Sequence, residues 1–260
     1  MSVSDIINAN DSGGTAQSQP ETTGAGRDWT LKAALIAFAC LLALYLFKAL
    51  FIDTDYLGPD NDDAMRLVIV RDLLAGQGWF DHMQYRLGIE PGTMMHWSRL
   101  IDLPIAFLIK AAAIFTGDQE KAEAFALFVW PVGLILPLTY FTGLAGYRLG
   151  GSMPAAIAVA LAAIHAFLTH RFAPGAIDHH NVQMVLIAAL AAALADSQFR
   201  AKSGLAAGAA AAGALAIGAE TTPIIAAAAA AAALRWALLA ERSARFAEVQ
   251  GPSLGRGWIE

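Results

Sequence analysis

Two short acidic clusters hold most of the chemistry this sequence offers. The first is Pro59-Asp60-Asn61-Asp62-Asp63, just after an apolar stretch ending near Ile52. The second is Asp178-His179-His180, between two further apolar stretches. Carboxylates and imidazoles are costly to hold at a membrane boundary, so by default they mark a functional site there. Oxygen-rich clusters suit a hard divalent cation and the phosphates it binds. The chemistry expected is that of a membrane enzyme handling a phosphate-bearing lipid.

Other residues can join them. Arg66 lies four residues after Asp62, a spacing that allows an ion pair on one helix face. Thr93-Met94-Met95-His96-Trp97-Ser98-Arg99 offers His96 and Arg99 as phosphate contacts, because arginine binds phosphate in a bidentate way. Trp97 reads as a headgroup anchor. Glu220 follows a small-residue helix at a predicted membrane edge. The plainer reading competes at each position. Asn61 or Asp62 would cap a helix beginning near Asp63, and Asp178 would cap the helix that follows it. Three polar groups at one helix start exceed what capping needs, and a helix N-terminus favours anions.

The elements that must position these groups follow from composition. Of 260 residues, 57% are hydrophobic and 15% charged, where a soluble domain carries about a quarter charged. The class is therefore an all-α polytopic membrane protein. The formal net charge of -5 and the lack of a basic, aromatic-interleaved patch argue against nucleic acid. The single cysteine, Cys40, excludes an intrachain disulfide. Residues 1–28 read as a polar, disordered cytoplasmic segment before a retained signal anchor. About six spans are expected: Leu31 to Ile52, Ala122 to Tyr147, Pro154 to Thr169, Val182 to Ala195, Gly204 to Ala219 and Pro223 to Leu239. A long loop over 53–121 separates the first two. Leu103 to Phe115 is short for a span and reads as an interfacial helix within that loop. Gly204 and Gly208 form a Gly-x-x-x-Gly match, which predicts tight helix packing.

Charge orients the spans. Arg148, Arg200, Lys202, Arg235, Arg242 and Arg245 gather on one side, which is the pattern of a cytoplasmic face. Both acidic clusters and Glu220 then lie at the outer face. The residues after 246 form a polar tail with no closing element, so the chain is expected to belong to a longer enzyme. Two other classes fit less well. A transporter subunit should show internal repeats, and none is found. A haem or metal protein would use His165, His170, His179 and His180. A non-catalytic membrane assembly protein is the remaining alternative.

At these residues the chain resembles the N-terminal half of GT-C glycosyltransferases, especially oligosaccharyltransferase catalytic subunits. Asp60-Asn61-Asp62 is an Asp-x-Asp after the first span, Arg66 matches the acid-to-arginine spacing, and Asp178-His179-His180 stands where the second motif stands. The resemblance covers roughly residues 31 to 240. It implies Mg or Mn, and a polyprenyl-phosphate or pyrophosphate sugar donor, with an unknown acceptor and the membrane lipid as partners. It implies catalytic roles for Asp60, Asp62 and Asp63, metal binding by Asp62, Asp178 and His179, and substrate contacts from Arg66, His96, Arg99, His180 and Glu220. It also implies a bacterial inner-membrane setting with the site outside. The chain lacks a Trp-Trp-Asp sequence, so protein N-glycosylation is not implied.

Overall fold

The computed structural model describes residues 24–52, 55–58, 60–198 and 200–249. The expected disordered segment 1–28 therefore lies mostly outside the described residues, as does most of the polar tail. The described residues are mainly helical. In chain order they form α1 (Gly24–Phe51), α2 (Asn61–Leu74), β1 (Met83–Gln84), β2 (Thr93–Met94), α3 (Arg99–Thr116), α4 (Gln119–Gly150), α5 (Ser152–Leu168), α6 (His180–Leu194), α7 (Ala201–Ile217) and α8 (Thr222–Val249), with a 3-10 turn, Ala219–Thr221, before α8.

Among the described residues, three helical segments are long and apolar enough to cross a membrane: Gly26–Phe51, Gln119–Gly150 and Ala219–Leu238. Helices α5, α6 and α7 are apolar but shorter, at 17, 15 and 17 residues. Large apolar side chains such as Ile36, Leu50, Phe51, Leu161 and Leu205 stand exposed on their outer surfaces. Contiguous exposed apolar surface of this extent marks a membrane-facing wall rather than a water-facing one.

Helices α1 and α4 to α8 alternate in direction. At one end, the Tyr45 ring near the end of α1 lies 6.4 Å from the Phe167 ring near the end of α5. At the other, Arg148 Nη1 at the end of α4 donates to Ala192 O at the end of α6, 2.5 Å away. Arg235 of α8 donates to Leu194 O at that same far end. The 170s loop and α2 sit at the first end, the site end. Asp60 and Asp178 line a common cavity there, so the two acidic clusters are on one side of the bundle.

Helix α3 does not cross the bundle. It turns at Gly117, in the left-handed conformation at φ 62°, and Asp118 at once caps α4 by accepting from the Glu120 and Lys121 amides. The buried face of α3 (Ile101, Ile105, Ile109, Ala112) packs on Ala122, Ala126 and Leu127 of the first turns of α4, together with Leu67 and Val70 of α2. Burial on only one face is what an amphipathic cover helix requires. Its other face carries exposed Leu103, Phe107, Ile114 and Phe115.

The boundaries move by a few residues from expectation. α1 begins at Gly24 rather than Leu31, and α2 begins at Asn61 with Asp60, not Asn61 or Asp62, as its N-cap. The largest difference concerns small-residue packing. A Cβ added at Gly204 or Gly208 would meet nothing within 4 Å, so that face of α7 is open. α7 instead buries Ala207, Ala210, Ala214 and Ile217. The close approach is made by α4. A Cβ at Gly146 would lie 2.7 Å from Pro154 O and 3.0 Å from Ala155 Cα, and one at Gly143 would strike Val159 and Thr30.

Pro131 links this bundle to the site. Proline has no N–H, so it cannot donate to the carbonyl four residues back. The carbonyl left free is Leu127 O, and Gly175 N of the 170s loop donates to it at 2.8 Å. A break in the α4 ladder thus becomes the dock for the loop that bears the second acidic cluster.

The glycine geometry sets a paired test. Gly146→Ala forces backbone against backbone and is expected to lower thermal stability in detergent by about 1–3 kcal/mol. Gly208→Ala fills open space in a helix interior and is expected to leave stability unchanged or raise it by up to about 1 kcal/mol. Equal effects from the two would refute the packing assignment.

Candidate active site and metal centre

The site is built around one guanidinium. Arg66 projects from the second turn of α2 and is fully buried. Its Nη1 donates to Asp102 Oδ1 of α3 at 2.9 Å, and its Nη2 to Asp178 Oδ1 at 3.3 Å. Its central carbon lies 4.5 Å from the centroid of the Trp97 ring, a cation–π contact. The helical Asp62–Arg66 pair expected from spacing does not form. Tertiary partners take the arginine instead, because a buried charge requires partners that are buried with it.

Asp63 fixes the second cluster by its backbone. Its Oδ1 accepts from both the Ile177 and Asp178 amides at 2.8 Å. Asp178 is therefore not the N-cap of α6. His179 occupies that position and makes no capping hydrogen bond there. The loops also touch directly. Gly175 has φ 87°, and a Cβ on it would collide with the backbone of Leu57 and Gly58.

The imidazoles complete the cluster. His179 Nδ1 lies 2.6 Å from Asp178 Oδ1, and its Nε2 lies 3.4 Å from Glu220 Oε1. Arginine can only donate, so the Nδ1 hydrogen goes to Asp178 and Arg66 Nη2 serves the carboxylate. His180 Nε2 lies 3.4 Å from Asp178 Oδ2, and its Nδ1 faces Gln183 Oε1 at 3.3 Å. Gln183 Nε2 donates in turn to Glu220 Oε2 at 3.1 Å.

These contacts set the protonation states. Burial alone would raise the Asp178 carboxyl. The His179 hydrogen bond and charge, the His179 amide and Arg66 outweigh it and hold Asp178 far below the usual carboxylate range. Burial alone would lower His179. The Asp178 carboxylate against Nδ1 wins and favours the imidazolium. Asp63 behaves oppositely. Its burial outweighs the two amide hydrogen bonds, and the Asp178 and Asp60 charges add to it, pushing the carboxyl up to about 6.

The residues present fit a divalent cation. Asp178, His179 and His180 each offer a ligand atom, all within 4.8 Å of one another. Asp178 Oδ2 is buried with no hydrogen-bond partner, leaving a lone pair aimed into the cluster. One carboxylate with two imidazoles is a borderline donor set, better matched to manganese or a later first-row ion than to magnesium. A cation on His179 Nε2 would displace the proton shared toward Glu220, so binding is coupled to proton release.

Two cavities open at this cluster. A polar one of about 250 Å³ is lined by Asp60, Asp63, Arg171, Asp178 and Asn181. A mainly apolar groove of about 640 Å³ runs from Arg171, His180 and Gln183 along Met184, Ile187 and Leu138. Arg171 stands at the junction of the two, and its Nη1 pairs with Asp60 Oδ2 at 3.2 Å.

The expected site residues are thus partly gathered. Asp60, Asp63, Arg66, Asp178, His179, His180 and Glu220 converge. Asp62 is exposed and is not part of the His-carboxylate cluster, whose third member is His180. His96 is exposed and lies edge-on to Trp97, whose own ring is buried beneath Arg66 rather than standing at a headgroup. Arg99 is buried, with Nη2 donating to Gln77 Oε1 and Asp81 O and Nη1 facing Ile69 O and Asp102. It ties α3 to α2 and the residues that follow it. Asp102, Trp97, Arg171 and Gln183 were not singled out as site residues. The only sequence hint was an acid (Asp102) opening an otherwise apolar helix.

The chain matches no family profile, no curated protein and no solved structure.

Two outcomes test this geometry. Arg66→Met leaves Asp102 and Asp178 buried without their shared cation and is expected to cost about 3–5 kcal/mol of stability, whereas Arg171→Gln, at the surface, should cost under about 1 kcal/mol. Because the folded Asp63 pKa lies above its unfolded value, its contribution is full below about pH 4 and is lost as pH rises through about 6. Asp63→Asn keeps the amide acceptor and is expected to flatten that fall in a pH series of thermal unfolding, with the gain over wild type appearing above pH 6.

Proposed function

We propose that this chain is a membrane glycosyltransferase, or part of one, of the GT-C kind. It would transfer a sugar from a polyprenyl-phosphate or pyrophosphate donor at the outer face of the membrane, within a bundle of about six spans. The observation that carries this reading is the apolar groove that ends at His180 and Arg171, beside the Asp178 cluster. A lipid-linked donor has that same division of chemistry. Its isoprenoid chain matches Met184, Ile187 and Leu138, and its phosphate matches the cationic mouth.

A divalent cation held by Asp178, His179 and His180 would neutralise the leaving phosphate. The chain's own groups do the rest. Arg171 supplies positive charge at the groove mouth for the departing phosphate oxygens. Asp178 and His180 hold the cation's position, and Arg66 keeps Asp178 ionised and oriented. Asp60, across the polar cavity from Asp178, is placed to accept the proton of an acceptor hydroxyl. Asp63 shapes the site through backbone amides and does not need to touch substrate.

The test uses the purified full chain in lipid nanodiscs with a radiolabelled polyprenyl-phosphate hexose. Sugar release to water or an added acceptor is expected with manganese, to be lost on chelation, and to fall about 100-fold or more in Asp178→Asn. Met184→Trp, which narrows the groove, should raise KM for a long-chain donor and leave a short-chain donor unaffected. Failure of the wild-type chain to release sugar or to retain the donor would sink the proposal.

A further inference from the structure

The far end of the bundle holds a second built cavity that the transferase reading does not use. It measures about 570 Å³ and is lined by Arg27, Arg148, Arg200 and Lys202 above an apolar floor that includes Phe141 and Leu144. The four cations come from three different places in the chain: α1, the end of α4, and the start of α7 with the residue before it. Among the described residues, no carboxylate lies within ion-pair distance of Arg27, Arg148 or Lys202. The nearby acid, Asp196, already accepts from Arg200 Nε at 3.0 Å and Ser203 Oγ at 2.5 Å.

Arg148 is the built element of the cavity. Its Nη1 caps the α6 carbonyl end at Ala192 O, and its Nε is buried with no hydrogen-bond partner. Several like charges around one concave space repel one another unless an anion offsets them. A second cavity of about 400 Å³ shares Asp196, Arg200 and Ser203 and continues along α8 to Trp236. It is mainly apolar and opens toward the outward-facing surface that carries Leu234 and Trp236.

We propose that this far-end cavity binds the phosphodiester headgroup of an anionic phospholipid, seated by Arg27, Arg148 and Lys202. One acyl chain lies over Phe141 and Leu144, and the other enters the neighbouring apolar cavity. A phosphodiester supplies the missing negative charge, and basic recesses between membrane helices recognise lipid headgroups in this way. The apolar floor distinguishes a lipid from a free phosphate, which would leave that floor wet.

The experiment adds phosphatidylglycerol, phosphatidylcholine or inorganic phosphate to the purified full chain in detergent. Native mass spectrometry counts retained lipid, and thermal unfolding reads stabilisation. Phosphatidylglycerol is expected to be retained and to raise Tm, with phosphatidylcholine and phosphate doing neither. Arg27 and Lys202 are exposed, so Arg27→Gln with Lys202→Gln should not lower the lipid-free Tm. The double variant should weaken phosphatidylglycerol retention about 25-fold, roughly fivefold per charge removed. Equal retention of phosphatidylcholine, an equal Tm rise from inorganic phosphate, or unchanged retention by the double variant would each overturn the assignment.

Discussion

The Arg66 guanidinium is the interaction on which the site end depends. It lies at the meeting point of α2, α3 and the 170s loop, and it bonds a carboxylate from each of the last two. Each of these charges would be costly to bury alone. Together they form a set in which every member needs the others, so the three segments hold one relative position. Trp97 seals one face of the guanidinium and His179 lies beside its Nη2. The Asp178-His179-His180 cluster therefore rests on a network that is itself out of reach of water.

A second layer of positioning is made by backbone groups. Pro131 opens the α4 ladder at Leu127 O, and Gly175 fills the vacancy. Asp63 receives the next two free amides of the same loop. The loop carrying Asp178, His179 and His180 is thereby held at three successive backbone points before any side chain of the cluster engages. This explains how an irregular segment can present ligands with defined geometry, since a loop without such ties would leave its polar backbone unsatisfied.

The two ends of the bundle divide the electrostatic work. The site end combines acids and imidazoles, with Arg171 at the groove mouth and Arg71 and Arg86 paired to Glu123 and Asp72. The far end gathers Arg27, Arg148, Arg200, Lys202 and Arg235. That asymmetry has the form of the positive-inside bias of membrane chains. It also places the two proposed lipid sites apart: a groove beside the Asp178 cluster, and a basic recess at the opposite end.

The sequence by itself determined the helical class, the order of the long apolar helices and their approximate limits. Composition and apolar run length are summed over many residues, so single-residue errors average out. It also singled out Asp60, Arg66, Asp178, His179, His180 and Glu220, which the fold brings together, because polar groups beside apolar runs are conspicuous. Only the tertiary structure decided who partners whom. Local spacing offered Asp62 to Arg66 and a capping role to Asp178. Burial overrode both, giving Arg66 to Asp102 and Asp178, and the loop amides to Asp63. Long-range geometry likewise moved tight packing from Gly204 and Gly208 to Gly143 and Gly146, whose neighbours on α5 cannot be read from their own helix. It turned Arg99 and Trp97 from surface contacts into interior supports. Partner choice in a folded chain is set by which groups are desolvated together, and that is a property of the fold, not of distance along the sequence.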